Sequence, residues 1–252
     1  MGLDLNGNKL LSTSIGPKGE VIKTISTDGL LLYLDAGNKD SYPGSGTTWY
    51  DLSGNGLHST LVNGPTFDSG QGGGIVFDGD NDRVTTPSFT YTPYSISVWL
   101  YNVNNINAND GAIGGPSTYQ TLFSFGGGTA GVNLGGWTSA ATNEAIHIWS
   151  TSGGALLTYT NQTVSFGVHN FVFNWNGSHY DIWVDGVKQN SIAGASGHAV
   201  LSTYTNVPLY LCTDTSTYEF NGKIYSFNLY GIRLTDTQVL QNFNASRSRF
   251  GI

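Results

Sequence analysis

The amino-acid sequence predicts an all-β protein, a jelly-roll sandwich of two antiparallel sheets with one short C-terminal helix. Three observations carry this expectation. Short apolar runs alternate with Gly-, Asn- and Asp-rich turns along most of the chain, and the long helical patterns that would signal a parallel sheet are missing. Charged residues make up 11% of the 252 residues and Gly supplies 35, against about 25% and about 7% in average proteins, a balance unsuited to helical bundles and coiled coils. Aromatic residues reach 13%, enough apolar surface to build a core and to exclude disorder. The length fits one large sandwich with or without an appendage.

Residues 1–28 are expected to form an N-terminal arm, because the apolar pairs Leu10-Leu11 and Val21-Ile22 are separated by Asn-Gly and Gly-Pro-Lys-Gly turn chemistry. Such an arm serves as an edge hairpin of the main domain or as an extended segment docking on another subunit. The main domain is expected over residues 29–252, opening on the continuous apolar run Leu30-Leu31-Leu32-Tyr33-Leu34. Residues 95–101 have period two, with Ile96, Val98 and Leu100 on one face and Ser97, Trp99 and Tyr101 on the other. Both faces are largely apolar, which suits an inner strand.

Residues 171–175, Asn176-Gly177, residues 180–184, Asp185-Gly186 and Val187-Lys188 predict three consecutive antiparallel strands, since Asn-Gly and Asp-Gly accept the positive φ of tight hairpins. Further strands are expected at 75–78, 121–125, 145–149, 155–159, 208–213 and 223–230. Near the end, Thr235 and Gln238 have capping-box spacing, and Val239, Leu240 and Phe243 give an apolar helix face through about residue 245. The tail carries Arg247 and Arg249 and reads as a solvated or subunit-docking end. Trp49, Trp99, Trp175 and Trp183 fall at strand positions and are assigned to the core.

A net charge of −7 with no basic cluster argues against nucleic-acid partners. The single cysteine, Cys212, sits in an apolar run, allows no internal disulfide and reads as a buried, inert thiol. No apolar run approaches the roughly 18 residues of a membrane span, so no membrane insertion is expected. The opening residues lack the basic and apolar segments of an export signal.

Several segments, in order, resemble laminin-G-like, concanavalin A-like lectin/glucanase domains. They are Trp49-Tyr50-Asp51-Leu52-Ser53-Gly54-Asn55-Gly56, then residues 75–84, 95–100, 180–186 and 220–224, then Leu234-Thr235 leading into the helix. The resemblance implies the concanavalin A-like form of the jelly roll. Residues 30–38, 42–49 and 242–251 are similar to versions of this domain in structural proteins of tailed phages, especially marine and cyanobacterial ones. That narrower resemblance implies the exterior of a virion as location, with other virion proteins, further copies of the same chain and cell-surface glycans as partners. The role implied is a non-enzymatic decoration, fibre or appendage subunit; the alternative is a free carbohydrate-binding module of a cell-surface protein.

The residues bear on catalysis, on sugar binding and on calcium binding. Glycosidic hydrolysis needs two facing carboxylates about 5 to 9.5 Å apart, yet Glu20, Glu144 and Glu219 are the only glutamates and none belongs to a strand that alternates acidic residues. A lyase using Tyr and His would draw on His147, His169 or His179, although hydrogen-bonded structural histidines are the more common outcome. Sugar binding wants flat aromatic faces and amide groups on loops or a shallow groove. Trp137 in a Gly-rich stretch, Trp149 on a strand face shared with His147, and Asn105 and Asn107 in a long polar segment are therefore the candidate carbohydrate contacts. Asp78, Asp80 and Asp82 offer hard oxygen donors for a structural Ca²⁺, without the spacing and closing glutamate of an EF-hand. The acidic residue that the resemblance leads one to expect after residue 224 is absent, and the alternative is an Asx-rich turn capping its own amides.

Overall fold

The strand Asn221–Tyr230 organises the protein, because it pairs along its whole length on one edge and carries two shorter strands end to end on the other. The computed structural model describes residues 14–15, 21–22, 24–102, 120–125, 130–134, 144–150, 157–160, 167–177, 180–189, 202–213 and 219–252. Across the first sheet run Val187–Lys188, Tyr180–Val184, Gly167–Trp175, Ser95–Asn102 and Asn221–Tyr230. The far edge of the last strand binds Gly74–Asp78 along residues 221–224, with Thr66–Asp68 beyond it, and Leu30–Asp35 along residues 226–230.

The second sheet runs Leu157–Thr160, Glu144–Ser150, Ala130–Leu134, Gln120–Phe125, Tyr210–Leu211, Arg83–Thr85, Ser59–Val62 and Thr48–Trp49. Pairing is antiparallel throughout both sheets. The predicted two-sheet sandwich with one short C-terminal helix is the architecture found. Within the expected N-terminal arm, Ser14–Ile15 pairs with Val21–Ile22 as a separate ribbon rather than as an edge of either large sheet.

The core lies between the sheets. Leu32, Ile96, Val98, Phe171, Phe173 and Phe227 from the first sheet meet Trp49, Leu61, Val84, Phe123, Leu211 and Val132 from the second. Phe123 makes edge contacts with Phe173 and Phe227 at centroid distances of 5.5 and 5.7 Å, the tilted geometry that aromatic quadrupoles favour. Cys212 is fully buried, and burial pushes its thiol pKa well up, leaving it protonated and unreactive.

The opposite face of the first sheet is apolar too. A bulge between Trp99 and Leu100 leaves Tyr225 as the extra residue of the long strand and brings it to the Trp99 face. That face is closed by the helix Asp236–Ser246 and the 3₁₀ turn Arg247–Phe250. The helix starts on the predicted capping box, with Thr235 accepting from the Gln238 N–H. Trp99 stacks on Phe243 at 5.6 Å and on Phe250 at 4.5 Å, while Val239 and Leu234 pack with Val172, Trp183 and Tyr230. The three hairpin strands pair antiparallel in succession, as expected. At Asp185-Gly186 the φ values are 50° and 76°, and a Cβ on Gly186 would come within 2.6 Å of Phe243, so glycine is required there for conformation and for space.

Neutral polar groups lock the helix down. The Ser26 N–H donates to Asn242 at 2.7 Å, Asn242 donates to the Tyr230 hydroxyl at 2.9 Å, and Gln238 donates to Asp28 at 2.9 Å. The segment 24–28 is thus packed on the helix, so the ordered body extends upstream of Gly29. The Leu234 N–H donates to Ser95, and Asn174 donates to the Leu234 carbonyl at 2.8 Å.

Three expectations change. Trp175, the last residue of its strand, is only partly buried against the core and meets Tyr180 edge-on at 5.1 Å. Leu240 lies on the outer side of the helix and is 40% exposed. Arg249 is neither solvated nor free to grip a neighbour: it pairs with Asp35 at 2.7 Å and donates to the carbonyls of Gln71, Gly72 and Gly73. Gly72, at φ 80°, has no room for a Cβ because the guanidinium lies 2.7 Å away.

Because the helix layer is held by buried aromatics, Phe243→Ala should lower unfolding stability by about 3–5 kcal/mol, the usual cost of emptying an aromatic site. Chemical denaturation reads this directly. An unchanged midpoint would mean that the helix is not a closing layer of the fold.

Candidate binding surface

Since the helix covers the first sheet, the outer face of the second sheet is the broad surface on which ligand chemistry can be sought. Register fixes which residues share it. Thr48 pairs with Thr60, Thr60 with Thr85, Thr85 with Tyr210, Tyr210 with Ser124, Ser124 with Gly131, and Gly131 with Trp149. Directly opposed residues of antiparallel strands lie on the same face, so these positions form one row across the sheet. Its inner counterpart runs through Leu61, Val84, Leu211, Phe123 and Val132, all core residues. Along the outer row Thr60 is exposed, Thr48, Thr85 and Tyr210 are half-buried, and Ser124 and Gly131 are buried. Arg83 and Val62, paired beside it, are also half-buried.

Trp149 therefore occupies an outer-face register position, and His147, opposite Asn133, occupies the same face. Trp137, Asn105 and Asn107 lie outside the described residues, as does His179. Of the residues flanking their segments, Gln120 is the register partner of Leu134. Sequence reasoning did not single out Thr60, Thr85 or Tyr210. The signal was the alternation of Ser59-Thr60-Leu61 and Arg83-Val84-Thr85, too short to stand out without partners.

The acidic loop is built as an Asx turn. The Asp80 N–H donates to the Asp78 carboxylate at 2.9 Å, and the Asp78 N–H donates to Asp82 at 3.2 Å. Asp78 and Asp80 face solvent whereas Asp82 is buried. Among the described residues, no three acidic, imidazole or thiol side chains converge as a metal-ligand set. The carboxylates of Asp78 and Asp82 thus accept from amides of their own turn.

Several other titratable groups among the described residues have structural partners. His169 bonds Asp185 at 2.7 Å across the hairpin, and the other Asp185 oxygen accepts the Asn170 N–H at 2.8 Å. His58 accepts the Asp51 N–H at 3.1 Å. Asp51, in the Trp49–Gly56 signature, accepts from the amides of Tyr33, Ser53 and Leu57. Asn55 of the same segment donates to the carbonyls of Leu30 and Leu31. This signature is accordingly a knot that ties its loop to the first strand. Of the glutamates, Glu219 accepts from Thr213 at 3.1 Å, Glu144 opens a strand of the second sheet, and Glu20 lies outside the described residues.

A second feature lies at the seam between the first strand and the helix. A cleft of about 400 Å³ opens there, lined by residues that include Thr27, Leu30, Tyr33, Asp35, Ser246 and Arg249. Burial, reinforced by the charge of Asp35, raises the Tyr33 pKa far above that of a free phenol, so its hydroxyl stays protonated.

A two-sheet antiparallel jelly roll is the architecture of the concanavalin A-like sandwiches. Residues 78–240 match the family model of the concanavalin A-like lectin/glucanases superfamily, and the chain belongs to that family. No curated protein sequence matches it. Among solved structures it is similar to domain 4 of AbnA, a GH43 extracellular arabinanase from Geobacillus stearothermophilus, in complex with arabinotriose. The TM-score is 0.58 at 18% identity, over 84% of this chain and 97% of that one. It is also similar to Trypanosoma rangeli sialidase, with a TM-score of 0.53 at 12% identity, over 95% of this chain but 36% of that one. The binding domain of Paraclostridial mosquitocidal protein 1 gives 0.52 at 15% identity, over 87% and 52%. Identities this low establish a shared fold.

Burial, then the neighbouring charges of Asp78 and Asp80, raise the Asp82 pKa, partly offset by the Asp78 N–H bond. The folded chain thus holds that proton more tightly than the unfolded one. The resulting stability is present below the unfolded pKa and is lost as pH rises through the folded value. Asp82→Asn should therefore raise the melting temperature at neutral pH, with the gain vanishing under acid conditions. A lower melting temperature, together with loss of a Ca²⁺-dependent stabilisation in the parent, would instead identify Asp82 as a calcium ligand.

Proposed function

We propose that the chain is a non-enzymatic, glycan-binding protein of a virion exterior, a decoration, fibre or appendage subunit. The observation that carries the binding role is the outer row of the second sheet. Thr60, Thr85 and Tyr210 stand directly opposed on neighbouring strands whose backbones lie about 4.8 Å apart, so their hydroxyls share one face. They can donate to and accept from sugar hydroxyls without placing a charge in the site. In this reading Trp149 and Trp137 supply apolar ring faces for the C–H side of the sugar, and Asn105 and Asn107 supply amides. The arabinotriose held by the AbnA domain is in keeping with this use of the fold.

The non-enzymatic part of the reading rests on where the carboxylates are spent. Asp181 is buried against Lys188 at 2.7 Å, Asp35 is held by Arg249, Asp68 by Lys223 and Asp185 by His169. An acid–base pair for glycosidic hydrolysis would need two carboxyl groups released from such duties. The virion part rests on the likeness of residues 30–38, 42–49 and 242–251 to phage structural proteins, and on a low-charge surface rich in hydroxyls and amides. The arm over residues 1–28 then serves to mount the domain on other virion proteins or on further copies of itself.

On a glycan array the chain should bind a restricted set of neutral or acidic sugars. Trp149→Ala and Trp137→Ala should each abolish binding of at least one of those sugars, and Tyr210→Phe should weaken that binding by roughly fivefold, as expected for one uncharged hydrogen bond. Binding undiminished by all three substitutions, or turnover of a polysaccharide, would overturn the reading. Electron microscopy of particles lacking the chain tests the virion role, for which unchanged particle composition is the adverse result.

A further inference from the structure

We propose that the cleft between the strand Leu30–Asp35 and the end of the helix is a second binding site, specific for an uncharged sugar residue. Its walls come from distant parts of the chain: Thr27 on one side, Ser246 and Arg249 on the other, and Leu30, Tyr33 and Asp35 between them. At about 400 Å³ it falls in the range of about 300–1,000 Å³ occupied by small-molecule sites. This site is separate from the outer row of the second sheet and does not depend on it.

Three features select the ligand class. Asp35 and Arg249 are paired at 2.7 Å, so the cleft presents opposite charges that cancel, and an ionic ligand would have to break that pair. Most of the guanidinium is already committed, since Nε and a terminal nitrogen donate to the carbonyls of Gln71, Gly72 and Gly73. Arg249 therefore acts as a fixed wall rather than an anion clamp.

The remaining polar capacity is of the neutral kind. The second Asp35 oxygen receives only a long bond from the Tyr33 hydroxyl, at 3.4 Å, and can accept a shorter one from a sugar hydroxyl. Tyr33, held protonated, can donate and accept. Ser246 makes no capping bond at the start of its 3₁₀ turn, which leaves its hydroxyl available to a ligand. Leu30 adds an apolar patch beside these groups, as the C–H face of a pyranose or furanose ring requires. Alternating hydroxyl partners beside a small apolar surface, with no net charge, match a polyol better than an extended peptide, whose backbone would look for a strand edge.

The test uses the full chain, isotopically labelled, titrated separately with arabinose, glucose, galactose, N-acetylneuraminic acid and a peptide of residues 1–23. At least one neutral sugar should give saturable amide shifts concentrated at residues 24–35 and 245–249. Tyr33→Phe, which removes one hydroxyl and leaves the ring, should weaken that sugar about five- to tenfold with an unchanged melting temperature. Thr27→Trp, made at an exposed position, should fill the cleft and abolish the shifts. Trp149→Ala should leave them intact, which separates this site from the sheet face. Shifts confined to the second sheet, a response only to the acidic sugar or only to the peptide, or no saturable response would each overturn the proposal.

Discussion

The first sheet is apolar on both faces, and the rest of the structure follows from having to cover it twice. On the inner side the second sheet does so. On the outer side Trp99, Tyr225, Tyr230 and Trp183 are all at most 5% exposed, and leaving such side chains in water would forfeit about 1.5–3 kcal/mol apiece. The helix and the 3₁₀ turn after it cover them, with Phe243 and Phe250 beside Trp99 and Tyr225, and Val239 beside Trp183 and Tyr230. Phe243 and Phe250 stacked on Trp99, with Arg249 held over Tyr225 at 5.7 Å, are thus part of the fold's closure. The bulge at Tyr225 belongs to the same solution, because strict alternation would have sent that ring into the inner core.

Closing the sandwich with so little charge sets the character of its polar interior. Ser26, Asn242, Tyr230 and Gln238 bond to one another beneath the helix, and Ser95, Asn174 and the Leu234 backbone do so beside it. Neutral amides and hydroxyls carry a smaller desolvation penalty than ions, provided that each finds its partner. Asp181, buried like Asp51 and Asp82, meets Lys188, Arg233 and Asn176 together. A chain with 11% charged residues can hold a three-layer fold because its interior ties are amide and hydroxyl bonds.

What the sequence made legible is what is encoded locally. The alternation through residues 95–101, the Asp185-Gly186 turn and the Thr235–Gln238 capping box each need only a few neighbouring residues to act, and each formed as read. Phe89–Tyr91, Arg83–Thr85 and Tyr204–Val207 escaped because strands of three or four residues are defined by partners more than 100 positions away, such as Tyr204 on Tyr91. Trp175 was misassigned because strand membership says nothing about lying at the end of a sheet. Arg249 was read as outward-facing since nothing near it in sequence could satisfy a guanidinium; its acceptors are carbonyls about 177 residues upstream. Of the candidate site, the face shared by His147 and Trp149 was visible in the period of one strand, whereas the hydroxyl row needed the register of all its neighbours.

The same topology decides where recognition can occur. A sheet buried on both faces has no surface to offer, so open polar surface is left on the second sheet's outer row and at seams where covering elements end. The cleft is such a seam: the helix must stop and turn so that Phe250 can reach Trp99, and the turn leaves a gap over the strand Leu30–Asp35. Arg249 bridges part of the gap, yet its guanidinium is used up in binding Asp35 and the Gln71–Gly73 carbonyls. What remains open is lined by hydroxyls, one accepting carboxylate oxygen and aliphatic carbon. A surface of that kind has no nucleophile poised by a base and no field to steer an ion, but it has the donors, acceptors and flat apolar area that a sugar presents in mirror image.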